Sequence, residues 1–223
     1  MLSVLYLMFN EGYLSRGAEV AMRRDLAEDA LWLTGLVATL MPGQPEVLGL
    51  VALMKLTLAR SNARFDKEGE IVLLPDQDRN LWDRAAIAEG VELLERAGAM
   101  SSTGPYQVQA AIVAIHSEST SWKETDWHQI VVLYDALMRL VDSPVVRLNR
   151  AVALSHFAGP EAALGEVNDL AIALSDYHLF HSARAELLDQ VGERALARDA
   201  RRRALELCKN PAERSLLERR LKG

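Results

Sequence analysis

The sequence predicts an all-α protein: a helical N-terminal half that continues without a break into a stack of helix–turn–helix repeats. Three observations predict it. Apolar residues recur at helical spacing from end to end, and Ile71–Leu74 is the only run with strand character. The last third repeats at a period of 34 residues, with Ala151, Leu154, Ala163 and Leu170 returning as Ala185, Leu188, Ala197 and Ala204. Helix breakers such as Pro42-Gly43-Gln44-Pro45 and Asn210-Pro211 fall between the periodic stretches rather than inside them.

Taken in order, Val4–Tyr13 reads as a short apolar helix and Ala18–Met41 as a long one. Glu46–Asn62 follows, apolar apart from Lys55 and Arg60. Residues 66–82 interrupt the pattern with a turn at Asp66–Glu70, and helices resume at Asp83–Ala97, Tyr106–Ser117 and Asp126–Val141. From Pro144 the repeat helices are 145–157, 160–174, 177–191 and 193–208, closed by a charged cap at 212–222. Small residues at the repeated positions let paired helices approach closely, with Ala151 expected against Ala163 and Ala185 against Ala197. This is the spacing of tetratricopeptide (TPR) repeats, which stack into surfaces that partners dock on. A fainter copy lies upstream, where Ile130, Tyr134 and Pro144 precede Ala197, Arg201 and Pro211 by 67 residues. The chain therefore divides into a helical N-terminal part, 1–125, and a TPR-like part with its capping helix, 126–223.

Composition narrows the function classes. One cysteine, Cys208, rules out an intramolecular disulfide and fits a reducing, cytoplasmic setting. No apolar run is long enough to span a bilayer, and Leu2–Phe9 lacks the basic flank and cleavage site of a secretory signal. A net charge of −6 conceals an asymmetry: residues 192–223 carry +5 and the remainder −11. The basic end suits an acidic partner, but its arginines are not interleaved with aromatics as in a nucleic-acid surface. An apolar helix starting almost at Met1, with Ser3 as its only cap residue, leads us to expect a piece cut from a longer chain.

Several strings are distinctive together. They are Leu5-Tyr6-Leu7-Met8-Phe9-Asn10-Glu11-Gly12-Tyr13, Asp76-Gln77-Asp78-Arg79 with Trp82-Asp83-Arg84, Ile87-Ala88-Glu89-Gly90, Gly104-Pro105-Tyr106-Gln107, and Asp126-Trp127 with Ser143-Pro144-Val145-Val146 and Leu148-Asn149-Arg150-Ala151-Val152-Ala153. In this order they resemble, over essentially the whole chain, the C-terminal extension of bacterial extracytoplasmic-function (ECF) sigma factors with TPR-like repeats. The resemblance implies a regulatory, protein-interacting role in transcription initiation. It also implies that the domains binding core RNA polymerase and promoter lie outside this chain. The family carries an acidic, glycine-rich turn ending in arginine; the nearest segment here is Asp66–Glu70, with Glu70 in place of the arginine.

The residues that carry chemistry are few. Asn10, Glu11 and Tyr13 close the first helix, and Asp76, Asp78, Arg79 and Trp82 lead into a later one. Both groups are helix-terminal or irregular and rich in polar atoms needing partners, so they are expected to meet as one interaction or ligand cluster. Arg79 is the expected keystone, paired with Asp76, Asp83 or Glu11, since a guanidinium serves two acceptors at once. An enzyme or sensor would instead need Glu11, Asp78, Arg79 and His116 to converge in one pocket. A TPR scaffold unrelated to transcription is the third reading. His178 and His181 share a helix face, but two ligands do not make a zinc site, so no metal or other cofactor is expected and no catalytic residue is assigned. The expected partner is a protein within the sigma factor–polymerase assembly, with no direct DNA binding and no membrane contact; the oligomeric state is left open.

Overall fold

The computed structural model describes residues 1–14, 20–100 and 102–222, setting aside the side chains of 14, 20–24 and 222. The expected helix start at Ala18 and the loop residue Ser101 lie outside the described residues. The described residues form eleven α-helices and no strand: α1 (Leu2–Leu14), α2 (Val20–Leu40), α3 (Pro45–Leu58), α4 (Arg84–Gly98), α5 (Pro105–Glu118), α6 (Trp127–Leu140), α7 (Pro144–Ala158), α8 (Pro160–Asp169), α9 (His178–Gln190), α10 (Arg194–Leu207) and α11 (Pro211–Lys222). The stretch from Ile71 to Leu74, for all its β-branched and apolar residues, holds only an isolated bridge residue at Ile71. Two compact units result: residues 1–66 with 72–125, and residues 67–71 with 126–223.

In the first unit α3 is the axle, with α2, α4 and α5 all packed on it. Its residues Val47, Leu48, Leu50, Val51, Ala52, Leu53, Met54 and Leu56 are all buried, as expected of a helix that is apolar on every side. Lys55, the charged exception, reaches Glu89 of α4 at 2.5 Å. Two glycines allow the close approach. A Cβ on Gly49 would lie 2.6 Å from Gln107 Cγ, and one on Gly90 would lie 2.7 Å from Leu56 Cγ. Glu46 of α3 caps α5 from outside that helix, its carboxylate accepting from Tyr106 N at 3.0 Å and Gln107 N at 3.1 Å. An anion at a helix N-terminus satisfies free N–H groups and opposes the macrodipole. The helix expected over 46–62 stops at Leu58 and tightens into a 3-10 turn at Ser61–Ala63. There the carbonyl of Ala59 is taken by Asp83 N, at 2.8 Å.

In the second unit each helix from α6 to α11 packs on the next in the chain, the pattern of stacked hairpins. Proline stands at the first position of α7, α8 and α11, where its missing N–H costs nothing. The α7–α8 and α9–α10 turns use Gly159 (φ 95°) and Gly192 (φ 85°), a conformation that other residues rarely adopt. Ala151 and Ala163 share one buried cluster with Leu148, Val167, Leu170 and Phe180, and Ala185 and Ala197 share another with Leu188 and Ala200. The helix expected over 160–174 ends at Asp169. Beyond it the bonds shift to i−3 partners, Leu170 N to Val167 O and Ala171 N to Asn168 O, and the chain turns so that Leu170 and Leu174 are buried while Ile172 faces out.

Candidate functional site

The first candidate region is built around Trp82, which is buried at the head of α4. Asp78 starts the turn before it, its Oδ1 accepting from Asn80 N and Asn80 Nδ2, both at 2.9 Å. Asp83 then caps α4 by accepting from Ala86 N at 3.0 Å. These two Asx caps hold Arg79, Trp82 and Arg84 together at one end of the helix. The guanidinium of Arg79 stands 4.5 Å from the indole centroid, that of Arg84 5.9 Å and that of Arg60 6.0 Å. Cations over an indole face are held by its quadrupole.

Arg79 does not pair with Asp76, Asp83 or Glu11 as the sequence suggested. Its Nη1 donates to the carbonyls of His116, at 2.7 Å, and Ser119, at 2.6 Å, and Arg84 Nη1 donates to the carbonyl of Ser117 at 3.4 Å. Both arginines thus cap the C-terminal end of α5, where unpaired carbonyls and the helix dipole favour a cation. Among the described residues no carboxylate forms an ion pair with Arg60, Arg64, Arg79 or Arg84. Burial first, and then the like charges of Arg60 and Arg84, push the Arg79 guanidinium below its ordinary pKa, and burial does the same to Arg60. Arg60 Nε, Arg79 Nη2 and Trp82 Nε1 are buried donors with no acceptor within reach among the described residues.

The other sequence-predicted residues sit around this core in different ways. Tyr13 stacks on Phe9 with ring centroids 5.8 Å apart, carries Arg64 over its ring at 4.2 Å, and gives its carbonyl to Arg64 Nη1 at 3.1 Å. Arg60 and Arg79 both lie over the Trp82 ring. Asn10 bonds to Tyr6 within its own helix. Glu11 is exposed but partnered, and Asp76 is exposed in the 3-10 turn Leu74–Asp76. Of the four groups an enzyme pocket would need, Asp78 turns to Asn80, Arg79 binds the backbone of His116 rather than its ring, and the His116 ring stacks on Trp122 at 5.9 Å.

The second unit holds two features that sequence reasoning missed and one that it only sketched. Arg150 is a bridge: its Nε meets Asp135 of α6 at 2.6 Å and its Nη1 meets Glu166 of α8 at 2.6 and 2.8 Å, tying three helices together. A half-buried arginine between two carboxylates explains that part of the Leu148–Ala153 string. Glu70 accepts from Ser215 Oγ at 2.7 Å and pairs with Arg219 at 3.2 Å. The basic end resolves into a cleft of ≈ 530 Å³ lined by Asp189, Arg194, Arg198, Arg201, Arg220 and Leu221. Arg201 is neutralised by Asp189 and Arg220 by Glu186. Arg194 and Arg198 have no carboxylate partner among the described residues, so the cleft presents surplus positive charge.

The fold and these sites define an all-helical protein whose second half is a helix–turn–helix repeat stack. Residues 1–98 match a family of unknown function (DUF6596). An uncharacterized protein of Rhizobium meliloti (strain 1021) is 44% identical over 219 residues, covering 98% of this chain. The chain spans about half, 52%, of that relative's length. No solved structure matches the chain significantly. No helix among the described residues is long and apolar enough to cross a membrane.

Proposed function

We propose that this chain is the C-terminal regulatory and protein-interaction domain of an ECF sigma factor and that it acts in transcription initiation through protein contacts, without catalysis. The observation that carries the interaction role is the arginine cleft of α9, α10 and α11, where Arg194 and Arg198 stand uncompensated on a repeat stack. Surplus charge of one sign in a concave surface steers and selects a partner segment of the other sign. The occupant it suits is an acidic stretch of protein in the sigma factor–polymerase assembly. The link to transcription rests on the five separated strings quoted above. A relative of about twice the length leaves room for polymerase- and promoter-binding domains beyond the matched part.

The test reverses the charge of the cleft in the full-length protein. Arg194→Glu with Arg198→Glu should abolish transcription from the target promoter and co-purification with polymerase subunits, while the melting temperature stays nearly unchanged. Neither side chain has an ion pair among the described residues, so their loss should shift stability by no more than about 0.5 kcal/mol. The 223-residue chain by itself should bind duplex DNA only weakly and lose it with added salt. Wild-type transcription by the double variant, or sequence-dependent, salt-resistant DNA binding by this chain, would overturn the reading.

A further inference from the structure

Apart from both arginine sites, one group in the second unit has the donor set and spacing of a cation site. His178 opens α9, Cys208 directly follows the last residue of α10, and Glu213 lies in the first turn of α11. The turn that joins the last two is fixed locally. Cys208 N donates to Ala204 O at 3.0 Å, and Asn210 Oδ1 accepts from Ala212 N at 2.9 Å and Glu213 N at 3.3 Å. Asn210 is thus an N-cap that also sets where the Glu213 carboxylate stands relative to the thiol. His178 Nε2 is 2.9 Å from Glu213 Oε2, Cys208 Sγ is 4.0 Å from the same oxygen, and the three atoms all lie within 4.8 Å of one another. Cys208 is 4% exposed, and the side chains of His178 and Glu213 are 21% and 26% exposed.

A tetrahedral zinc ion, with bonds of about 2.3 Å to sulfur and about 2.0–2.2 Å to nitrogen or oxygen, keeps its ligand atoms roughly 3.2–3.6 Å apart. The separations of 2.9 and 4.0 Å from Glu213 Oε2 bracket that range, so closing on an ion takes movements of about 1 Å. The hydrogen bond between His178 and Glu213 accounts for those two groups alone. Cys208, buried beside them, donates to Asn210 O at 3.6 Å, and its contact of 4.0 Å to the carboxylate is a weak bond at best. Imidazole, thiolate and carboxylate together suit zinc and its neighbours, whereas magnesium and calcium want oxygen alone.

We propose that His178, Cys208 and Glu213 bind a single zinc-class divalent cation that staples the start of α9 to the α10–α11 turn, with its fourth position open to water or an added ligand. The site joins three helices at the end of the repeat stack. Metal occupancy would therefore set the rigidity of the unit that carries the arginine cleft, and the proposal stands whether or not the partner of that cleft is part of a sigma factor.

Cobalt(II) titration of the full chain, kept reduced without thiols, is the direct test. Binding should saturate at one equivalent and show a thiolate-to-cobalt charge-transfer band with the visible bands of a tetrahedral ion, and zinc should displace it and raise the melting temperature. Cys208→Ser should remove the charge-transfer band. His178→Asn and Glu213→Gln, at partly exposed positions, should each weaken zinc binding by at least about tenfold, since even the outer partners of metal ligands contribute roughly 10–100-fold. Absence of the charge-transfer band in the wild-type chain would overturn the proposal. So would zinc affinity that is unchanged in all three variants while their circular dichroism matches the parent.

Discussion

Gly49→Ala tests the packing at the centre of the first unit, because two effects of known size oppose each other there. In the interior of a helix, replacing glycine by alanine gains about 1 kcal/mol from lower backbone entropy in the unfolded chain. At Gly49 the added Cβ would stand 2.6 Å from Gln107 Cγ, 2.8 Å from Gln107 N and 3.0 Å from Gln107 Cα. Two of those atoms are backbone. They retreat only by lengthening the 3.1 Å bond from Gln107 N to Glu46. Overpacking of this kind costs about 1–3 kcal/mol, and weakening a hydrogen bond to a carboxylate costs about 1.5–3 kcal/mol in full. The net loss should be about 1–3 kcal/mol. Gly35→Ala in α2 supplies the control, since nothing lies within 4 Å of its Cβ position and the propensity gain acts alone. Urea unfolding followed by circular dichroism should therefore separate the two variants by about 2–4 kcal/mol with equal m-values, Gly35→Ala above the parent and Gly49→Ala below it. If Gly49→Ala matched or exceeded Gly35→Ala in stability, the close α3–α5 approach would be wrong.

Three further outcomes are expected. Arg79→Ala removes both donations to the end of α5 and should lower stability by about 1–3 kcal/mol in thermal melts, and an unchanged melting temperature would contradict the capping role. Glu70→Arg sets a second cation against Arg219 and strands the Ser215 hydroxyl, so the 67–71 turn should exchange its amides faster in hydrogen-exchange measurements, and unchanged protection would contradict the pairing. His156, whose ring lies 4.2 Å from that of Trp127 although the residue as a whole is exposed, has its pKa lowered by burial, against a smaller upward pull from Glu186. Its neutral form therefore favours the folded state: this contribution is complete above about pH 6.5, fades as pH falls through the unfolded value, and declines no further below the lowered folded one. Melts across that window should show the loss in the parent and a flatter profile in His156→Gln.

The sequence by itself determined the helices, their approximate ends and the repeat. These are local properties: a 3.6-residue apolar period, a proline that tolerates only the first helical turn, and small residues recurring at a fixed interval. That is why Ala151, Ala163, Ala185 and Ala197 were legible as close-packing positions and are buried in shared clusters. Ends set by distant groups were not legible in this way. The helix after Pro45 stops at Leu58, and Ala59 O is claimed by Asp83 across 24 residues. The candidate sites divide along the same line. That Arg79 and Trp82 share a helix entry follows from chain proximity and two Asx caps. That Arg79 answers the carbonyls of His116 and Ser119 rather than a carboxylate depends on where α5 ends in space. His178 drew attention through His181, its neighbour on the helix, yet its nearest partners are Cys208 and Glu213, some 30 residues on. A 34-residue repeat brings the start of one hairpin beside its own end and the start of the next helix, so the signal for that trio was present in the period. The choice of which side chains meet was made only in the tertiary structure, because hydrogen bonds and metal-ligand distances are decided within a few tenths of an ångström, and a periodicity fixes position only to about one turn of helix.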